Sequence, residues 1–319
     1  MTDKYTPEQL ESIINVCRNT LGRDAKNATA HHDLGVALMQ KGAADEAITH
    51  FLQAVKLAPA QALSHYLLGI AYAEKNMLQE AITAWQRVVK LDKKNAGAHY
   101  FLGKVYALQG LSDAALLHLR KAKVLQPSNA SIYHTLAEVH VLRRESRDAE
   151  AAWKAVLLLR PEDPRSLINL CALCLDQGDY QKCIDYGQSF LTSNRDDSRV
   201  RFNLGVAHLG LGDLEAAAVH LEQAAVLAPT DVDILLALGQ SAARRGRYDE
   251  AHMVWKRALA VDPKYLPALV AKADIYEREG RLEEALGVWR EILAIDSDNA
   301  FARERVDNVL SRMGRHLEA

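Results

Sequence analysis

The chain has 319 residues and a net charge of −2; 49% of its residues are apolar, 25% are charged and only 8 are proline. This near-neutral charge argues against nucleic-acid partners, because phosphates are bound by clustered Lys and Arg side chains. The apolar runs, such as residues 234–238, are far shorter than the about 20 residues of a membrane-spanning helix, so we expect no membrane insertion.

The first predicted element is a helix that begins at Pro7. Thr6 is the predicted N-cap, and Gln9 completes a capping box with it. Tyr5 and Leu10 are spaced as a hydrophobic staple. One face of this predicted helix carries an apolar stripe: Leu10, Ile13, Ile14, Cys17 and Leu21.

The chain then repeats itself every 34 residues. The segments HDLGVA at residue 32, YLLGIA at residue 66 and YFLGKV at residue 100 show the period. Eight units follow one another without insertion or deletion, and we number them repeats 1 to 8: residues 28–61, 62–95, 96–129, 130–163, 164–197, 198–231, 232–265 and 266–299. We expect capping helices on both sides of this array, in residues 1–27 and 300–319.

Each repeat carries the same side-chain pattern over two predicted helices. The eighth and twentieth places are small, as at Gly35 and Ala47, which lets two antiparallel helices approach closely. The seventh place is leucine in seven repeats: Leu34, Leu68, Leu102, Leu136, Leu170, Leu204 and Leu238. The twenty-fourth place is bulky in seven repeats: Phe51, Trp85, Leu119, Trp153, Leu221, Trp255 and Trp289.

Glycine and proline mark where the predicted helices end. The fifteenth place requires a left-handed residue and is usually glycine, as at Gly42. Asn76 and Arg144 hold this place in repeats 2 and 4, and we expect the arginine to cost about 1 kcal/mol relative to glycine. Prolines stop the second helix in five repeats: Pro59, Pro127, Pro161, Pro229 and Pro263.

The C-terminal helix is predicted to bury one face and to expose the other. The residues predicted to pack inward are Phe301, Val306, Val309, Leu310 and Met313. The residues predicted to face water are Arg303, Glu304, Arg305, Asp307 and Arg312.

This pattern resembles the tetratricopeptide repeat (TPR) family, whose 34-residue motif carries a large residue, Leu-Gly, Tyr, Ala, an aromatic residue, Ala and Pro. The resemblance covers essentially the whole chain. It implies an all-α fold, an α-solenoid that winds as a right-handed superhelix of eight helix-turn-helix repeats between terminal capping helices. It also implies a protein-protein interaction scaffold, although the motif residues themselves build only the fold.

The resemblance further implies that the first helices of the repeats line a concave groove. The fifth place supplies a row of mostly aromatic and aliphatic residues: His32, Tyr66, Tyr100, His134, Ile168, Phe202, Leu236 and Val270. Other residues predicted to line the groove are Val36, Leu63, Ile70, Lys104, Glu138, Asn169, Asn203 and Gln240. Exposed apolar rows mark binding surfaces, so we expect a peptide or helix of a partner protein here.

Polar groove residues refine this expectation. Asn169 and Asn203 could bracket a peptide backbone, because an amide both donates and accepts hydrogen bonds, but a packing role stays open. The C-terminal groove places are charged or polar, which predicts a second, polar sub-site: Asp233, Gln240, Arg244, Asp274, Glu277 and Arg278. The family's clamp for chaperone C-termini is absent, since its places hold His32, Val36, Leu67, Gly97 and Phe101.

Three cysteines of repeat 5, Cys171, Cys174 and Cys183, provide the sharpest alternative, a thiol or metal site. Other repeats fill two of these places with small residues, which favours packing instead. The histidines at the fourth place are also predicted to pack: His31, His65 and His99. Because the common catalytic and phosphate-binding motifs are missing, we expect no enzyme activity, no catalytic or metal-binding residues and no cofactor.

Three hypotheses about function therefore stand. The first is a scaffold that binds a protein segment in the groove. The second is a self-associating structural module, a homo-oligomer in which the groove receives the terminus of another copy. The third is the thiol or metal site. The polar N-terminus and four unpatterned cysteines predict a cytoplasmic protein without a secretory signal.

Overall fold

The computed structural model describes residues 6–192 and 196–314, which form α-helices joined by short turns and contain no β-strand. The helices are α1 (Pro7–Arg23), α2 (Ala28–Gln40), α3 (Ala44–Leu57), α4 (Ala62–Glu74), α5 (Leu78–Leu91), α6 (Ala96–Leu108), α7 (Ser112–Leu125), α8 (Ala130–Leu142), α9 (Ser146–Leu159), α10 (Pro164–Gln177), α11 (Tyr180–Leu191), α12 (Ser198–Leu211), α13 (Leu214–Leu227), α14 (Val232–Arg244), α15 (Tyr248–Val261), α16 (Leu266–Arg278), α17 (Leu282–Ile295) and α18 (Ala300–Arg312). Within this part of the chain, no helix is both long enough and apolar enough to span a bilayer.

The helices form two compact units. Unit 1 comprises Met1–Arg160 and unit 2 comprises Pro161–Ala319. In each unit the two helices of a repeat pack as a hairpin, and each hairpin packs against the next one along the chain. The sequence shows no linker near residue 160, so this division was not expected from it.

The predicted turns are confirmed by the backbone. Gly42 ends α2 with a φ of 82°, and the other glycines of the fifteenth place also have positive φ. Asn76 and Arg144 adopt the same left-handed conformation, with φ values of 58° and 59°. The chain geometry at this turn therefore overrides the preference of arginine for negative φ.

Small residues on the first helix of a repeat make room for a large residue on the second. A Cβ atom added to Gly35 would lie less than 3.0 Å from the Phe51 ring, and one added to Gly103 would meet Leu119 at 2.5 Å. Phe51 and Leu119 have no exposed surface. The two helices are thus as close as their backbones allow, and the bulky side chain fills the space that the missing methyl group leaves.

Helix α1 begins with the predicted capping box. The Thr6 hydroxyl accepts a hydrogen bond from the Gln9 amide at 3.2 Å, and the Gln9 side chain accepts one from the Thr6 amide at 2.9 Å. Leu10, Ile14 and Cys17 are buried against α2 and α3. The predicted staple partner Tyr5 lies outside the described residues.

Helix α18 closes the C-terminal end, with one correction to its apolar face. Val306, Val309 and Leu310 are buried, as predicted. Phe301 is 52% exposed and touches the Trp289 ring only edge-on, at 5.6 Å between centroids, so its inward prediction was wrong. Residue 301 stands on the first turn of α18, where no further helix covers it among the described residues.

Two arginines of α18 bind a buried carboxylate instead of facing only water. Arg305 and Arg312 approach Glu277 at 2.8 and 2.9 Å, and the Trp289 indole donates a third hydrogen bond at 2.9 Å. Glu277 is 7% exposed, so its predicted place on the polar surface of the groove was wrong. The burial is tolerated because three donors satisfy the charge, and the cluster joins α16, α17 and α18.

Histidines at the fourth place fasten the connection to the preceding helix. His31, His65 and His99 each place Nε2 within 3.3 Å of a backbone carbonyl six residues earlier. This geometry supports the predicted packing role. Nε2 therefore carries the proton and donates it to the carbonyl.

Two of these histidines also pair with a histidine on the second helix. His31 and His99 place Nδ1 at 3.0 Å from Nδ1 of His50 and His118, respectively. Since Nε2 of the first ring donates to a carbonyl, its Nδ1 accepts and the second ring donates. Burial, then the neighbouring charges of His99 and Lys121, lowers the pKa of His118 to about 4.

Replacing Arg144 with glycine is expected to stabilise unit 1. The left-handed backbone of Arg144 should cost about 1 kcal/mol relative to glycine, so Arg144→Gly should raise the free energy of unfolding by about that amount. Urea titration followed by circular dichroism measures it. Asn76→Gly is the matched control and should gain less, because asparagine tolerates this conformation. Equal gains in both variants would contradict the explanation.

Acidification is expected to destabilise unit 1 through the histidine pairs. Because the folded pKa of His118 lies near 4 and the unfolded value near 6.5, the unfolded chain binds more protons between these values. The neutral His118 therefore contributes its full stabilisation above pH 6.5, and this contribution is lost as the pH falls towards 4. His118→Ala, which introduces the residue that repeats 2 and 4 hold at this place, should flatten the pH dependence of urea unfolding across that window. An unchanged slope would contradict the assignment.

Candidate protein-binding site

Unit 1 contains a depression of about 580 Å³ where α4 and α6 begin. Five of its lining residues, which come from α4 and α6, we call the aromatic site: Leu63, Tyr66, Gly97, Tyr100 and Phe101. The remaining lining residues come mainly from the turns before α6 and α8: Asp92, Lys94, Asn95, Ala96, Leu125, Gln126, Asn129 and Ser131. The depression therefore joins an apolar floor to a polar edge.

Trp85 of α5 supports the aromatic site from below. Its indole Nε1 donates a hydrogen bond to the Tyr66 carbonyl at 3.1 Å, which ties α5 to α4. Its ring stacks on Phe101, with 5.0 Å between centroids and 13° between planes. Trp85 is 1% exposed, so it acts as a fixed base on which Phe101 is oriented.

The rings of both tyrosines of the aromatic site contact the Phe101 ring. Tyr66 and Tyr100 hold their ring centroids 5.9 and 5.2 Å from that of Phe101, at tilted angles. Both tyrosines are half-buried, and Leu63 is 54% exposed. Burial raises the pKa of Tyr66, so its phenol stays neutral and keeps its donor proton.

Gly97 makes room for the Tyr66 hydroxyl. A Cβ atom at residue 97 would stand 2.6 Å from the Tyr66 oxygen, too close for any real contact. The groove prediction did not include Gly97. A signal was present, because the second place of the other repeats is never glycine: Thr29, Leu63, Ser131, Arg165, Arg199, Asp233 and Pro267.

The polar edge is formed in part by two helix caps. The side-chain oxygen of Asn95 accepts from the Ala98 amide at 2.9 Å, and that of Asn129 accepts from the Ser131 amide at 3.1 Å. These bonds fix the orientation of both amides at the first turns of α6 and α8. Asn95 and Asn129 were not predicted as lining residues, because they precede the helices whose residues were predicted to line the groove.

Unit 2 contains a second depression, of about 590 Å³, against α14 and α16. We call its four hydrophilic residues the polar site: Gln240, Arg244, Asp274 and Arg278. Arg244 donates to the Leu209 carbonyl at 3.0 Å, which anchors its guanidinium. Burial raises the pKa of Asp274, although the nearby Arg305 acts in the opposite direction. Four of the six residues predicted for the polar sub-site line this depression, whereas Asp233 and Glu277 do not.

The predicted groove residues differ widely in exposure. Leu63, Lys104 and Gln240 are exposed. Nine others are partly buried: Val36, Tyr66, Ile70, Tyr100, Glu138, Ile168, Asn169, Phe202 and Leu236. The depressions bring together Leu63, Tyr66 and Tyr100 in unit 1, and set Gln240 beside Val270 in unit 2. Whether these residues bind a partner stays a prediction.

Three predicted groove residues are buried. His32, His134 and Asn203 are no more than 8% exposed. His32 places Nδ1 at 2.9 Å from the Ser64 hydroxyl, and Asn203 donates to the Ile168 carbonyl at 3.4 Å. Their expected exposure to a groove was therefore wrong, and for His32 and Asn203 the contact comes from the neighbouring repeat. The packing alternative is the correct one for Asn203.

The cysteines of repeat 5 pack as small buried side chains. Cys171 donates its thiol proton to the Cys183 carbonyl at 3.4 Å, and Cys183 donates to the Asn203 carbonyl at 3.7 Å. The contact with Cys171, together with burial, raises the pKa of Cys183. A thiol is reactive as the thiolate, so this environment favours packing over redox or metal chemistry.

A different group of donor atoms converges at the start of α9. His140, Glu145 and Asp148 hold one ligand atom each within 4.8 Å of one another. Glu145 is already engaged, at 2.7 Å by His140 and at 2.7 Å by Arg143. Both bonds lower the pKa of Glu145, and the bond from Arg143 has the larger effect. The arrangement is an ion-pair cluster that fastens the turn between α8 and α9.

Protein-family models match most of the repeat array. A model described as TPR repeat matches residues 37–76 and 71–110. Two models described as tetratricopeptide repeat match residues 134–193 and 236–300, and residues 198–223. Together they cover well over half of the chain. No curated protein sequence matches it.

Solved structures share the fold at low sequence identity. A tetratricopeptide repeat protein from Parabacteroides merdae is 14% identical with a TM-score of 0.58, covering 78% of this chain and 98% of its own. PilF of Pseudomonas aeruginosa is 20% identical with a TM-score of 0.54, and the match covers 67% of this chain and 96% of PilF. PilW, a type IV pilus biogenesis factor, is 17% identical with a TM-score of 0.55, and the match covers 66% of this chain and 97% of PilW.

These similarities agree with the helix hairpins, the left-handed turns and the small-to-large packing of each repeat. The all-α architecture predicted from the repeat pattern is confirmed. The chain belongs to the tetratricopeptide repeat family, whose members are generally non-enzymatic scaffolds for protein-protein interaction.

Proposed function

We propose that this protein is an interaction scaffold that binds a segment of a partner protein, peptide or helix, at the aromatic site of unit 1. The observation that carries the proposal is the convergence of Leu63, Tyr66, Tyr100 and Phe101 in one open depression. Aromatic side chains supply a large contact area with few rotatable bonds, which is typical of residues that dominate binding energies.

The support beneath the site favours binding without rearrangement. Trp85 fixes Phe101 by stacking and fixes α4 through the Tyr66 carbonyl. A partner side chain that packs between Tyr66 and Tyr100 therefore meets rings that are already oriented. Preorganisation of this kind lowers the entropic cost of association.

The polar edge suits the backbone or polar side chains of the bound segment. Asn95, Gln126 and Asn129 offer amide groups at one side of the depression, and Asp92 and Lys94 offer both charges. A segment with one or two apolar anchors followed by polar residues fits this layout. An extended peptide and a helix both satisfy it, because each can present two apolar side chains on one face.

The polar site of unit 2 supports a second contact of different chemistry. Arg244 and Arg278 flank the depression, and guanidinium groups bind carboxylates with two parallel hydrogen bonds. A partner with an acidic stretch could thus be held by unit 2 independently of the aromatic site.

The direct test is affinity capture from a native lysate with the double variant Leu63→Thr/Tyr100→Ala. Leu63 is exposed, and repeat 1 holds threonine at the same place, so the variant should fold. Loss of two apolar contacts should weaken binding by at least roughly tenfold, because each buried apolar side chain contributes about 1.5–3 kcal/mol. Mass spectrometry identifies the proteins that this variant no longer captures.

The matched control is Leu108→Thr/Tyr106→Ala. It removes the same two residue types, both from α6, but neither residue lines the depression. Circular dichroism should show native helix content for both variants. Partners retained by the control and lost by the site variant would support the proposal, whereas equal capture by native chain and site variant would contradict it.

A further inference from the structure

We propose that the outer face of α7 in unit 1 is a second docking surface, which binds an acidic amphipathic segment of a partner protein. This surface contains none of the five residues of the aromatic site, although the two depressions have one lining residue in common, Leu125. The proposal does not rest on the function proposed for the aromatic site. A depression of about 640 Å³ lies against α7, and its lining includes Leu116, Leu117, Val124 and Leu125. Its volume falls within the range of pockets that hold ligands.

Two apolar residues of this surface face solvent without a covering element among the described residues. Leu117 is 56% exposed and Val124 is 78% exposed. They stand seven residues apart on one helix, and Arg120 and Lys121 lie between them at the third and fourth positions. The four side chains therefore share one face of α7, which we call the α7 face.

Comparison with the other repeats of unit 1 shows that the solenoid does not require apolar residues here. Repeats 1 and 2 hold Thr49 and Thr83 at the place of Leu117, and Lys56 and Lys90 at the place of Val124. Helices α3 and α5 form normally with these polar residues. The exposed leucine and valine of α7 are thus not explained by packing of the fold.

The charges around the depression determine the chemistry of the occupant. Asp113 and Glu145 are both bound by Arg143, at 2.5 and 2.7 Å. In the described part of unit 1, the cations Lys93, Arg120 and Lys121 make no ion pair, although all three line the depression. The free charge beside the apolar floor is therefore positive, and its complement is a segment that alternates apolar residues with Asp or Glu.

An apolar pair alone would not justify this assignment. Repeat 6 also exposes two valines at these places, Val219 and Val226. The residues between them are Glu222 and Gln223 rather than two cations. The combination of apolar floor and unpaired cations distinguishes the α7 face, and the repeat 6 face supplies a natural control.

Peptide selection tests the proposal while the partner is still unidentified. A phage-displayed library of random peptides is first depleted of clones that bind the variant Leu117→Thr/Val124→Lys. The remaining clones are then selected for binding to the native protein. The substituted residues are those of repeats 1 and 2, so the helix should be retained. We expect the selected peptides to be enriched in Asp and Glu beside Leu, Ile or Phe. A pool without this enrichment, or a pool rich in Lys and Arg, would overturn the proposal.

Calorimetry on one selected peptide then assigns the surface. Binding should weaken about tenfold or more in Leu117→Thr/Val124→Lys, and should weaken with added salt and in Arg120→Glu/Lys121→Glu. The control Val219→Thr/Val226→Lys and the aromatic-site variant Leu63→Thr/Tyr100→Ala should bind like the native protein. The assignment would be refuted if either of these control variants lost binding, or if the α7 variants bound as tightly as the native protein.

A membrane is the other partner that a cationic apolar face can attract. The native protein and Leu117→Thr/Val124→Lys are therefore compared in sedimentation with vesicles of phosphatidylserine and phosphatidylcholine. We expect neither protein to sediment, because a depression with three cations suits a chain segment better than a flat lipid surface. Sedimentation of the native protein alone would replace the proposed partner with a lipid surface.

Discussion

The structure depends on the close approach of the two helices within each repeat. A glycine on the first helix leaves space that a Phe, Trp or Leu side chain on the second helix fills. Examples are Gly35 with Phe51 and Gly239 with Trp255. Where this pair is present, the contact sets how closely the two helices of the hairpin approach. The support of the aromatic site depends on the position of one such large side chain, Trp85.

Trp85 shows how the packing rule becomes a functional arrangement. It fills the space beside Gly69, so its indole reaches the Tyr66 carbonyl and its ring lies under Phe101. A leucine at this place, such as Leu119 in repeat 3, provides neither the hydrogen bond nor the stacking surface. The aromatic site is thus positioned by a core residue that has almost no exposed surface.

The sequence predicts what is local and repeated. The starts of the first helices, the left-handed turns at Gly42 and even at Arg144, and the N-terminal capping box all follow from residue type and period. It fails where distant parts of the chain meet. Glu277 is buried because Arg305 and Arg312 reach it from α18. His32 is buried because the next repeat supplies Ser64. A place within one repeat does not reveal what its neighbour covers.

The central claim is that a partner segment lies in the aromatic site, and photocrosslinking tests it most directly. Benzoylphenylalanine would be introduced in place of Leu63, which is exposed at the edge of the site, and separately in place of Leu108, which lies outside it on α6. After irradiation in lysate, mass spectrometry locates the attached residues. We expect residue 63 to attach to an apolar stretch of a partner and residue 108 not to do so. Partner attachment at residue 108 with none at residue 63 would contradict the claim.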